Sequence, residues 1–418
     1  MWRRALLKIN IFAFLALIAL TPFFIGYLWR EPLAISYLNL ASGAVIILTA
    51  ANLLLGSLRL EPIRSHSLTL AIVLFAAMLL WGSVLSEPLR SILGPWTSRF
   101  LQPLLVGYSG YLLLRGDLLS YQVLARALYL SLLFLAGLGL LQLNGVISAN
   151  NERITGLYLF PNSFARYLEI LLLVLLPVWL VAADRLRKWF FLIWLLGLIT
   201  LLATQSYAGV GSFVLGLMAL VAFLPTRFKP LKLAVIVIIT LGLSAAIAWR
   251  ASLPKYQETV TSSLATRQQF WHIGWQTIKA QPLTGIGLEG WERRYLELAR
   301  TYIDERQEKI IETDSAQPHN IFLDGWLRGG IIGLIAVSYL LLWPIVYSWR
   351  LIKDAYTASK SAPWLAYGAL GYGVAMLTFG LVDDPIFSDD AMTILFVLFF
   401  ALASSRYEPP LVRHSRTS

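Results

Sequence analysis

"ETDSAQPHNIFLDGWLRGGIIGLIAVSYLLLW", residues 312–343, passes from a charged segment through Pro318, His319 and Asn320 into a long apolar run. The run continues to about residue 349, longer than the roughly 20 residues that cross a bilayer as helix. Apolar stretches of this kind recur along the chain and decide the fold class. Hydrophobic residues make up 58% of the 418 and charged residues 14%, whereas a soluble domain is about half apolar and a quarter charged. The composition and the runs together predict an all-α polytopic membrane protein.

About twelve spans are expected, near 5–29, 33–57, 67–86, 92–114, 119–143, 161–183, 188–204, 207–225, 231–249, 319–349, 362–382 and 390–405. The first is too long for a signal-peptide core and lacks a small-residue cleavage site, so it reads as a permanent span. With the N-terminus in the cytoplasm, "MWRRALLK", "RLEPIR", "LLRGD", "DRLRK", "TRFKPLK", "WRLIKD" and the C-terminal tail fall inside with about eighteen Lys and Arg. The short outer connections hold Arg30, Arg90 and Arg153. That asymmetry predicts both termini in the cytoplasm. The net charge of +11 is spread between the spans, which argues against nucleic acid. Without Cys, disulfides, thiolate nucleophiles and Cys-ligated metals are excluded.

Three regions follow: spans 1–9 over residues 1–249, a long outer loop over 250–318, and spans 10–12 with a tail over 319–418. The loop carries roughly nine basic and nine acidic residues. Trp271, Trp275 and Ile278 share one helical face, as do Tyr295, Leu298 and Tyr302, so two amphipathic helices are expected, joined by "QPLTGIGLEG". Trp291 and Tyr295 suit the membrane interface. Arg267 is placed just before the first of these helices.

Ionisable residues at the outer ends of spans are the candidates for chemistry. Pro318 disfavours helix at Gln317, so His319 and Asn320 stand at the start of span ten. Free N–H groups and the dipole there would favour an anion and a neutral imidazole. Pro161 and Asn162 open span six, with Arg166 and Glu169 one turn in and close enough to pair; Arg328 lies within span ten. "DDPIFSDD", residues 383–390, reads as a solvated acidic turn. No spacing defines a metal site, and no cofactor is expected.

Four stretches, "RITGLYLFPNSFARYL" (153–168), "TQSYAG" (204–209), "TRQQFWHIGWQTIKAQPLTGIGLEGWE" (266–292) and "PHNIFLDGWLRGGIIGL" (318–334), together resemble the O-antigen ligase and polymerase superfamily of bacterial membrane proteins. The resemblance implies about twelve spans and a large outer loop with helices. It implies transfer of a glycan from an undecaprenyl-diphosphate carrier at the outer face of the inner membrane. Acceptors would be lipid A-core for a ligase or a second lipid-linked glycan for a polymerase. It places the essential loop arginine on Arg267 and the essential histidine on His319. A second family arginine, in an "SRG" turn, is replaced here by Tyr207 in Ser206-Tyr207-Ala208-Gly209. That departure leaves Arg153, Arg166 and Arg328 as cations able to compensate at the donor diphosphate, with Asn320, Asn162 and Tyr207 in support. The alternative class, a transporter of the bicarbonate-carrier type, would gather ionisable residues near the midplane on broken helices.

Overall fold

The computed structural model describes residues 2–21, 23, 27–29, 35–85, 96–147, 153–158, 160–181, 187–225, 254–303, 309–311, 315, 317–358, 363–384 and 389–405. It is helical nearly throughout. In chain order the helices are α1 (Trp2–Leu20), α2 (Tyr37–Leu54), α3 (His66–Val84), α4 (Gln102–Arg115, entered through a π turn at Thr97–Leu101), α5 (Tyr121–Leu143) and α6 (Pro161–Val181). There follow α7 (Arg187–Ala203), α8 (Tyr207–Phe223), α9 (Pro254–Ala280), α10 (Gly290–Tyr302), α11 (Ile321–Thr357), α12 (Trp364–Phe379) and α13 (Asp389–Ser404). A short antiparallel ribbon, β1 (Tyr27–Trp29) with β2 (Ile35–Ser36), links α1 to α2.

Four helices begin the same way. Ser36, Ser65, Ser120 and Ser206 each sit at an N-cap and accept a hydrogen bond from the backbone N–H three residues on. This satisfies a donor that a helix start otherwise leaves open. Side-chain hydrogen bonds also join helices inside the bundle: Asn10 and Thr49 tie α1 to α2. Small residues bring backbones together, as where Gly216 of α8 meets Gly371 of α12.

Five helices, α2, α3, α5, α6 and α11, are long and apolar enough to span a bilayer. Tyr207–Phe223, Trp364–Phe379 and Ala391–Ser404 are shorter apolar helices. The described residues therefore give a multi-pass bundle but fall short of twelve full spans. Span nine, at 231–249, lies outside the described residues. Within span four the π turn Thr97–Leu101 runs directly into the 14-residue α4, and residues 92–95 lie outside the described residues.

The apolar interior is divided in two. One core fills the bundle. A second, smaller core is built where α9 and α10 pack on the start of α11, from Phe270, Ile273, Ile278, Trp291, Tyr295, Leu298 and Leu327. Trp291 and Tyr295 are thus 2% and 1% exposed and do not lie at an interface. Trp275 goes the other way, at 46% exposed. Helix α9 also extends upstream of its expected start, so Arg267 lies within it.

Helix α11 is broken at Gly329 and Gly330, which carry non-helical dihedrals. The turn between α9 and α10 enters this break. Ile286 N–H donates to Leu327 O at 2.7 Å, and Leu283 O occupies the space that a Cβ on Gly330 would need. Gly330 has φ 59° and ψ −149°, a region essentially confined to glycine. Gly330→Ala is expected to lose about 1–3 kcal/mol from the backbone alone, and more from the clash with Leu283 O. Thermal unfolding in detergent would show this as a lowered midpoint. Gly211→Ala, whose new methyl meets nothing within 4 Å, should leave it unchanged or raised.

Candidate active site

At one end of the bundle the start of α6, the start of α8, the segment before α11 and the turn after α12 converge. Their meeting point is Asp383. Its Oδ2 accepts from Asn162 Nδ2 at 2.8 Å. Its Oδ1 accepts from Asp384 N–H at 2.9 Å and Gln317 Nε2 at 3.3 Å, and faces His319 Nδ1 at 3.0 Å. Asn162 Oδ1 in turn accepts from Ser206 Oγ at 2.8 Å. Sequence segments separated by more than 200 residues are thus held by one carboxylate.

Asp383 is 5% exposed. Burial raises its pKa, but the His319 hydrogen bond and charge, with the Asp384 N–H and the Asn162 amide, outweigh that and hold it below the ordinary carboxylate value. A depressed carboxylate stabilises the fold above its unfolded pKa, and that contribution is lost only as pH falls through the lower, folded value. The acidic turn is therefore not solvated at its start: Asp383 and Asp384 are both buried.

His319 is held from the other side by the outer core. Its ring stacks on Phe270, with centroids 5.7 Å apart and planes 15° from parallel. Its carbonyl accepts from Trp271 Nε1 at 3.3 Å. The backbone is left-handed, φ 51°, uncommon for a residue with a side chain. With Nδ1 engaged by Asp383, the carboxylate favours the tautomer that leaves Nε2 as an acceptor, the arrangement by which a carboxylate orients a histidine base. The side chain stays 32% exposed.

The helix start beside His319 does not provide an anion site. Ile321 N–H donates to Gly380 O, Phe322 and Leu323 N–H to Asn320 Oδ1, and Asp324 N–H to Asn320 O. Asn320 is the N-cap, and its Nδ2 donates to Leu381 O. The four amide groups expected to meet an anion are occupied.

The arginines divide. Arg267 stands three and four residues before Phe270 and Trp271, on the α9 face that meets His319. Its Nη1 donates to Ser263 Oγ at 2.8 Å, and its Nε is buried without an acceptor. Arg166, 4% exposed, donates from Nη1 to Asp384 O at 3.0 Å. It lines a cleft of ≈ 370 Å³ with Asn162, Ser163, Gln317, Phe379, Asp383 and Asp384. Glu169 is equally buried, at 2%. Arg328 is paired with Asp324 at 2.7 Å and reaches Leu288 O. Arg153 bonds the carbonyls of Thr204 and Gln205 at the end of α7. Tyr207, 47% exposed, follows the Ser206 that contacts Asn162. Among the described residues no group of three or more His, Asp or Glu is arranged so that it could hold a metal ion.

Asp383→Asn keeps the shape but supplies a neutral amide at one oxygen position, which weakens control of the His319 tautomer. A loss of roughly 10²-fold in His319-dependent turnover is expected, the lower end of what a general base contributes. Steady-state rates with unchanged protein yield would check it.

These features define a multi-pass helical membrane protein with an oriented His–Asp pair at one end of its bundle. Residues 189–338 match the family model described as O-Antigen ligase. The matched stretch contains Arg267, His319 and Arg328; Asn162, Arg166 and Asp383 fall outside it. An uncharacterised protein of Haemophilus influenzae is 27% identical over 169 residues, covering 36% of this chain and 41% of the relative. The match thus spans less than half of that relative's length.

Proposed function

We propose that the protein transfers a glycan from an undecaprenyl-diphosphate carrier to an acceptor hydroxyl at the outer face of the bacterial inner membrane. The observation that carries this reading is the His319–Asp383 pair, with His319 and Arg267 both inside the stretch that matches the O-Antigen ligase family model. The acceptor oxygen gives its proton to His319 Nε2 and bonds to the anomeric carbon. The bond from that carbon to the diphosphate oxygen breaks, and its electron pair leaves with the diphosphate. Asp383 stabilises the imidazolium so formed. Arg267 meets the growing charge on the leaving group; a guanidinium fork matches two phosphate oxygens at once. With the α11 amides occupied, the donor depends on side-chain cations, and Arg166 in the cleft is the second. The reaction needs no metal on this scheme.

The topology that goes with it has twelve spans, both termini in the cytoplasm and residues 250–318 in the periplasm. The undecaprenyl tail lies along a groove between spans. Because the chain lacks Cys, a single Cys at position 300 should react with an impermeant reagent added from the periplasmic side; reaction from the cytoplasmic side alone contradicts the topology.

Purified protein in vesicles, given an undecaprenyl-diphosphate glycan and lipid A-core, should form glycosylated lipid A-core. Growth of the carrier-linked chain instead identifies a polymerase. No consumption of donor in either format overturns the proposal.

A further inference from the structure

We propose that the turn at residues 281–284 is a membrane anchor, with Leu283 inserted at the boundary between headgroups and acyl chains. The starting point is α3. Its exposed residues Leu70, Val73, Leu80 and Val84 recur at helical spacing and form a stripe with no protein cover, on a helix apolar enough to span. Trp81 stands near the end of that stripe. Its Nε1 donates to Thr284 O at 3.2 Å, which fixes the turn at the depth of the span's end.

Two further indoles complete the surround. Trp326 Nε1 donates to Pro282 O at 2.8 Å. Trp275 packs edge to face on Trp326, and Lys279 lies over the Trp275 ring at 5.8 Å. Leu283, between the two bonded carbonyls, is 69% exposed, whereas Gly285–Leu288 are buried.

Two physical points choose lipid as the occupant. Backbone carbonyls enter an apolar phase only when they are hydrogen-bonded; those of Pro282 and Thr284 are bonded by indole N–H groups, and Pro282 has no N–H to satisfy. Trp is the residue enriched where water meets hydrocarbon, and Lys suits the headgroup level beside it. The patch is continuous with the lipid-facing stripe of α3. A protein partner would not require that continuity. Since Ile286 N–H also holds Leu327 O, the same turn would set the height of the outer core above the bilayer. The proposal stands independently of glycan transfer.

The Cys-free chain allows a direct test. Leu283→Cys and, as control, Arg300→Cys on the exposed face of α10 are each labelled with bimane. The full protein is then placed in phosphatidylcholine vesicles with or without brominated acyl chains. At 283 the emission should be blue-shifted, quenched by the brominated lipid and several-fold less sensitive to aqueous iodide than at 300. Iodide quenching equal to that at 300 overturns the anchor. Protection from both quenchers also overturns it, since protein, such as a second copy of the chain, would then cover the patch.

Discussion

His319→Ala is expected to abolish glycan transfer while leaving the protein folded and inserted. A positioned general base contributes about 10²–10⁴-fold in rate, enough to empty a glycan ladder on a gel. The fold should survive because Asp383 keeps three partners without the imidazole: Asn162, Gln317 and the Asp384 N–H. His319→Gln separates two roles. It retains part of the activity if the ring only hydrogen-bonds the acceptor, and fails like alanine if proton acceptance is needed. Transfer at the parental rate by His319→Ala, in membranes with matched protein levels, would show that the imidazole is a bystander.

Arg267→Ala should cost roughly 10²–10³-fold in turnover, the scale seen when one preorganised donor to a developing negative charge is removed. Its bond to Ser263 is exposed and contributes little to the fold, so the loss should appear in catalysis and not in the unfolding midpoint. Arg267→Lys keeps the charge but loses the planar fork and should recover activity only poorly. Since the scheme places a guanidinium at the diphosphate, chelators should have little effect. Full inhibition by a chelator, reversed by a divalent cation, would contradict it.

The apolar runs announced the bundle because hydropathy over a span reports solvent environment directly. The two helices of the 250–318 loop were likewise legible from periodicity. What periodicity does not say is what covers a face. Trp291 and Tyr295 share the pattern of an interfacial helix, yet a second small core buries them. Asp383 was illegible for a related reason. "DDPIFSDD" looks like a water-loving turn, and the side-chain groups that make the burial of Asp383 tolerable come from residues 162, 317 and 319. The capping of α11 runs against the free amides expected there, although Asn directly before an apolar helix is a strong N-cap signal. That signal bears against free amides at that end.

The position of Asp383 in the chain has a consequence for biosynthesis. With its neighbour Asp384 it is the last of the residues joined at the site to leave the ribosome, on the turn between α12 and α13. Asn162, Ser206, Arg267 and His319 are all made and delivered to the membrane before it. A chain still under synthesis, or one truncated before α12, holds an imidazole that Phe270 can stack on but that has no Asp383 to engage its Nδ1. On the proposed function, insertion of the final helical pair would be the arming step, and a nascent chain would not spend lipid-linked glycan before its own assembly is complete.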